Sequence, residues 1–224
     1  MMVIMVQVRS MMKSIKARLV LWLMNTRFYN WMLTHVIPYI RFTTYYTSMR
    51  GVIYHKVYDA IQPGDIILTT DSKKLTTMLI GGDFSHAAVC VSKDKKWEVS
   101  EMTHSNYTKS TVADICFEST RVVVLRCEDF DKSYTQWFIE KCKSFDGVAY
   151  DNQFQLGVEA LSCSELVYEA DYERRLDVNL EDVIGIGQLY ISPTGLANAK
   201  NCKVVIDTET TKFDSDVLQP LGYH

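Results

Sequence analysis

The sequence predicts an α+β fold, in which short antiparallel strands pack against helices. Three observations carry this reading. Runs such as Ile66-Ile67-Leu68-Thr69, Ala87-Ala88-Val89-Cys90-Val91 and Val122-Val123-Val124-Leu125 have strand length and strand composition. Helical patterns occupy 133–145 and the segment from Cys163 to about Arg175, so strands and helices sit in one stretch of chain. With 224 residues and 47% apolar content, the chain can bury a core as one domain with an extension.

Taken in order, residues 1–58 read as a basic amphipathic helical extension, 59–208 as the folded domain and 209–224 as a loose polar tail. Within 17–40, Leu21, Met24, Phe28, Trp31 and Met32 make a broad apolar face, and Pro38 ends the helix within a residue or two. Asn25, Arg27, Asn30 and His35 make the run too polar for a spanning helix. Gln62-Pro63-Gly64-Asp65 is a turn before the first strand at 66–69. A short helix is expected over 72–80, then strands at 85–91, 97–102 and 121–126. A helix over 133–145 places Tyr134, Phe138, Ile139 and Cys142 on one side. Residues 176–202 read as irregular, with a last strand at 203–206.

Charge and cysteine usage narrow the function. The net charge is −3, yet residues 1–58 hold eight basic side chains and no acid, so all 27 acids lie beyond them with 16 basic residues. That segment is expected to meet something anionic, either a membrane surface or the acidic body of the same chain. The six cysteines show no C-x-x-C pair and no histidine cluster at zinc spacing. The expectation is therefore no metal, no cofactor and free thiols in a reducing, cytoplasmic setting, with peripheral contact to a membrane as a variant. There is no phosphate-binding glycine loop and no nucleic-acid signature.

The chemistry concentrates at Ser162-Cys163-Ser164-Glu165-Leu166-Val167-Tyr168. Ser-x-x-Glu ahead of an apolar run is a capping box, which makes Ser162 the N-cap and Cys163 the first helical residue. A thiol there feels the positive end of the helix dipole, which favours the nucleophilic thiolate. The alternative is a small buried hydrophobe. A cysteine nucleophile needs a base and an orienting group. His86, at the start of an otherwise apolar strand, must find polar partners. If Lys93 and Asp94 form a two-residue hairpin loop, Ser92 faces Lys95, Cys90 faces Trp97, Ala88 faces Val99 and His86 faces Glu101. Glu98 has the opposite parity. Cys163 would then attack a carbonyl, His86 shuttle the proton, and Glu101 hold the ring. The Cys163 N–H would contribute to an oxyanion hole.

Gly64-Asp65-Ile66-Ile67-Leu68, Ser85-His86-Ala87-Ala88-Val89, Val99-Ser100-Glu101, Tyr150-Asp151 and Cys163-Ser164-Glu165-Leu166-Val167 follow in that order. The series resembles the circularly permuted branch of the NlpC-type papain-like cysteine hydrolases, of the YiiX-like kind. The lecithin retinol acyltransferase-like proteins are more distant members. The resemblance spans roughly residues 60–195. It implies an antiparallel sheet or partial barrel packed against helices, with Cys163, His86 and Glu101 as nucleophile, base and orienter and with Tyr150 near the substrate cleft. The implied activity is hydrolysis, through an acyl-enzyme, of a peptide or cell-wall amide or of a lipid acyl bond. A lipid acyltransferase and a non-catalytic binding module with the same fold are the alternatives.

Overall fold

The computed structural model describes residues 22, 26–40, 51–72, 77, 82–94, 96–153, 156–182 and 189–210. Its described elements are α1 (Arg27–His35), α2 (Gly51–Ala60), β1 (Ile66–Thr70), β2 (His86–Lys93), β3 (Trp97–Thr103), β4 (Asn106–Thr111), α3 (Val112–Glu118), β5 (Arg121–Cys127) and α4 (Lys132–Ser144). They continue through β6 (Ala149–Tyr150), β7 (Ala160–Leu161), α5 (Cys163–Ala170), β8 (Glu181–Asp182), β9 (Leu189–Tyr190), α6 (Pro193–Ala197) and β10 (Cys202–Asp207). Six strands form one antiparallel sheet in the order β10-β5-β1-β2-β3-β4. This is the predicted α+β architecture.

Alternation along the strands gives the sheet two apolar faces. Ile66, Leu68, Ala87, Val89, Met102, Val123 and Leu125 meet Phe138 and Ile139 of α4 and Leu166 and Val167 of α5. Ile67, Ala88, Cys90, Val99, Val122 and Val124 meet Val57 of α2 and Ile115 and Cys116 of α3. Phe138 and Leu166 are fully buried, and burying a side chain of that size contributes about 1.5–3 kcal/mol. The continuous apolar run of β5 follows from this sandwiching, because both of its faces are covered.

The turn before β1 is fixed by Gly64, whose φ of +91° places it in the left-handed region. Its N–H donates to the Cys90 carbonyl at 2.8 Å. An added Cβ would lie 2.4 Å from Thr135 Cγ2, so alanine there meets both strain and a clash.

Several expectations need correction. Helix α5 stops at Ala170, five residues short of Arg175. The reason is Asp171, a buried side chain whose carboxylate accepts the N–H groups of Arg175 and Leu176 and the Tyr134 hydroxyl, and so turns the chain. The 176–202 stretch is not irregular throughout: it holds the β8–β9 pair and α6, capped by the Ser192 hydroxyl. Strand β4 and helix α3 have no counterpart in the sequence reading, and α2 begins within the segment read only as a helical extension. β4 is a polar edge strand without apolar alternation.

Cys127 and Cys202 are not free thiols. They stand opposite each other in the β5–β10 ladder and form a disulfide across 75 residues of sequence. Such a pairing leaves no trace in local spacing, and Cys90, Cys116, Cys142 and Cys163 remain free. Helix α1 ends at His35, before Pro38, as expected, and none of its residues is buried. The helix expected over 72–80 lies outside the described residues except for Ser72 and Thr77, and so does the tail from 211. Among the described residues, no helix is long and apolar enough to cross a membrane.

Candidate active site

Ser162 caps α5 as its sequence dictates. Its hydroxyl accepts the Glu165 N–H, and Glu165 Oε2 accepts the Ser162 N–H at 2.7 Å, so both halves of the capping box form. Cys163 opens the helix and is buried. The short parallel pairing of β6 with β7 sets Tyr150 beside Leu161, two residues before the thiol, and the Asp151 N–H donates to the Leu161 carbonyl at 3.1 Å. Tyr150 is itself held by Asn106, whose side-chain oxygen accepts its N–H at 3.1 Å.

Helix α5 packs on β2 and β3, which brings Cys163 to the start of β2. There the Cys163 thiol acts electrostatically on the His86 ring, and Glu101 hydrogen-bonds that ring, with Nε2 to Oε2 at 2.6 Å. The Glu101 side chain is only 8% exposed, and its other oxygen accepts the Ser110 hydroxyl of β4. Glu101 engages Nε2, so Nδ1 is the nitrogen left to face the thiol. Two of the three predicted side chains, His86 and Glu101, therefore touch, and the third, Cys163, is close enough to shift the titration of the ring.

The route to that contact differs from the expected hairpin. Lys93 pairs with Trp97 across a three-residue loop, and Ser92 with Glu98. Continued without interruption, that pairing would set Glu101 opposite Val89 and on the wrong face. An extra residue at Val91 bulges between the Cys90–Val99 and Ser92–Glu98 pairs and restores the parity. Glu101 then stands opposite Ala88 rather than His86. His86 is its diagonal neighbour, within reach of a long side chain. Ser110 escaped the sequence reading with the rest of β4; Ser and Thr after the polar turn His104-Ser105 were the available signal.

Electrostatics separates the thiols. Burial pushes Cys90 and Cys116 up to about 12, Asp65 adding to the effect at Cys90. Such thiols stay protonated at neutral pH. Burial also opposes the charged form of His86, but the influence of the Cys163 sulfur and then the Glu101 hydrogen bond outweigh it and lift the imidazole to about 10. The imidazolium is thus favoured beside the sulfur. Burial raises the Tyr150 hydroxyl, and Cys163, Glu165 and Asp151 raise it further, so the phenol keeps its proton.

Burial, with Asp151 and Glu169 adding to it, lifts the Glu165 carboxyl to about 7 against its Ser162 hydrogen bonds. The folded state holds this proton more tightly than the unfolded chain does. The contribution to stability is therefore full below pH 4.5 and is lost as pH rises through about 7. The thermal midpoint is expected to fall across that window, and to fall less in Glu165→Gln; parallel curves for the two proteins would count against it. Among the described residues, no group of three or more His, Cys, Asp or Glu side chains could hold a metal ion.

A sheet carrying an imidazole at a strand start, against a helix opening on a cysteine, defines the papain-like class, here with the histidine strand ahead of the cysteine helix. The family described as permuted papain-like amidase enzyme, YaeF/YiiX, C92 family, matches residues 60–215, and the chain belongs to it. A solved structure of similar fold is the crystal structure of metalloprotein yiiX from Escherichia coli O157:H7. It has a TM-score of 0.57 and 19% identity, with 65% of this chain and 96% of that chain covered. No curated protein matches the chain.

Proposed function

We propose that the protein is a cysteine amidase that cleaves a peptide amide through an acyl-enzyme, with Cys163 as nucleophile, His86 as base and Glu101 as orienter. The observation that carries this is the His86–Glu101 hydrogen bond at 2.6 Å, on an imidazole that the Cys163 thiol also acts on. In this reading the thiolate attacks the carbonyl carbon, and the imidazolium protonates the leaving amine as the C–N bond breaks. Water, deprotonated by His86, then releases the acid and restores the thiol. First-turn N–H groups of α5, that of Cys163 among them, receive the oxyanion. Tyr150, held beside Leu161, lines the substrate side of the cleft.

A screen of peptide amides against acyl esters on the purified protein tests the reaction class; turnover of esters with none of amides would sink the amidase reading. A thiol-directed activity probe tests the nucleophile: Cys163 is expected to react far faster than Cys90, Cys116 and Cys142. Equal labelling, or a rate unchanged in His86→Ala, favours a binding module. Ser110→Ala removes one hydrogen bond from the Glu101 carboxylate and is expected to lower the rate about twofold to tenfold, measured as kcat.

A lipid acyl substrate is the second reading. The exposed Phe28 and Trp31 on α1, within an acid-free basic segment, favour it. It expects anionic liposomes to float the full chain and to lose it when residues 1–55 are removed. Equal flotation of both proteins rejects it.

A further inference from the structure

Glu165 is more than an N-terminal cap. Capping-box carboxylates at exposed helix starts are ionised and favour the helix dipole. Glu165 is instead fully buried, in the same turn as Cys163. Only its Oε2 is engaged, by the Ser162 N–H; Oε1 is buried and has no hydrogen-bond partner. The groups acting on it are acidic or neutral: Asp151 and Tyr150 on the β6 side, and Glu169 a turn along α5. From the sheet, His86 of β2 interacts with Cys163, and Glu101 of β3 with His86. An ionised Oε1 would be a buried, unpaired charge. It would also stand beside the N–H donors that must receive negative charge from the substrate.

We infer that Glu165 is a positioning residue for the nucleophile: held as the neutral acid, with its proton on Oε1, it ties down the first turn of α5 without setting a negative charge against the oxyanion. This rests on the reading of Cys163 as nucleophile. Ionisation of Glu165 then slows acylation by opposing the oxyanion, while the fold and the cap remain. Glutamine fits the same capping box and cannot ionise.

The test uses p-nitrophenyl acetate with the full chain. The thiolate attacks the ester carbonyl, a C–S bond forms and p-nitrophenolate leaves, so the burst reports acylation; Cys163→Ala supplies the background. The wild-type burst rate is expected to fall about threefold or more from pH 6 to about pH 8.5, the size of a charge effect at a helix start. In Glu165→Gln the fall is absent, leaving only the limit set by His86 at about 10. A burst with superimposable pH profiles in the two proteins overturns the role of Glu165 and leaves the nucleophile standing. No Cys163-dependent burst overturns both. Where the variant does not fold, a carbon-13 titration of the Glu165 carboxyl in the wild type decides. A midpoint near 7 supports the inference, and one near the ordinary 4.5 overturns it.

Discussion

Cys163→Ala is expected to lower the rate about ten-thousandfold or more, and His86→Ala to fall almost as far. The two act as one unit, so the double variant should be little worse than Cys163→Ala alone. The acylation burst and amide turnover measure this. Glu101→Gln belongs to the same series. The amide keeps the size but loses the charge that steadies the imidazolium, and its NH2 group can present a donor to the Nε2–H. A loss on the order of a hundredfold to ten-thousandfold follows. A Cys163→Ala protein with half the wild-type turnover would remove the thiol from the mechanism. A Glu101→Gln protein with full turnover would reduce Glu101 to a structural partner.

Arg126→Met is expected to destabilise the fold by about 3–5 kcal/mol. Asp65, at the start of β1, has a side chain only 2% exposed, and it is gripped by Arg126 of β5 through Nε at 2.8 Å and Nη2 at 2.7 Å. Burial pushes the Asp65 carboxyl above its usual range, although Arg126 and the Gln62 N–H pull it down. Desolvation thus consumes much of the attraction, and the intact pair adds little net stability. Removing the guanidinium alone is different, because it strands a buried acid. Against a usual total of about 5–15 kcal/mol, that loss is large. Urea unfolding measures it. Asp65→Leu combined with Arg126→Met should recover part of the loss, and an unchanged midpoint in the single variant would contradict the account.

The N-terminus of α5 was legible because it is a local device. Ser162, Cys163 and Glu165 lie within one turn, and the hydrogen bonds that cap it run between residues three apart. The strands of the sheet centre were legible because two covered faces demand apolar runs. β4 was not, since an edge strand is chosen by its pairing with β3 rather than by its own composition. Ser110 was lost with it. The Cys127–Cys202 bond was equally hidden, because it depends on β5 and β10 becoming neighbours.

The hairpin is the instructive case. Parity along β3 puts Glu98 and Glu101 on opposite faces, because side chains alternate whatever the loop does. Which of the two shares a face with His86, and at which position, is another matter. It needed the length of the loop and the bulge at Val91, two deviations from the simple hairpin that together moved the register by two residues. The sequence alone settled which residue types stand at a helix start and on one strand face, since both follow from short-range geometry. Which of them touch was decided only when α5 packed against β2, because contacts between distant segments depend on loop lengths, bulges and burial that no short stretch of sequence encodes.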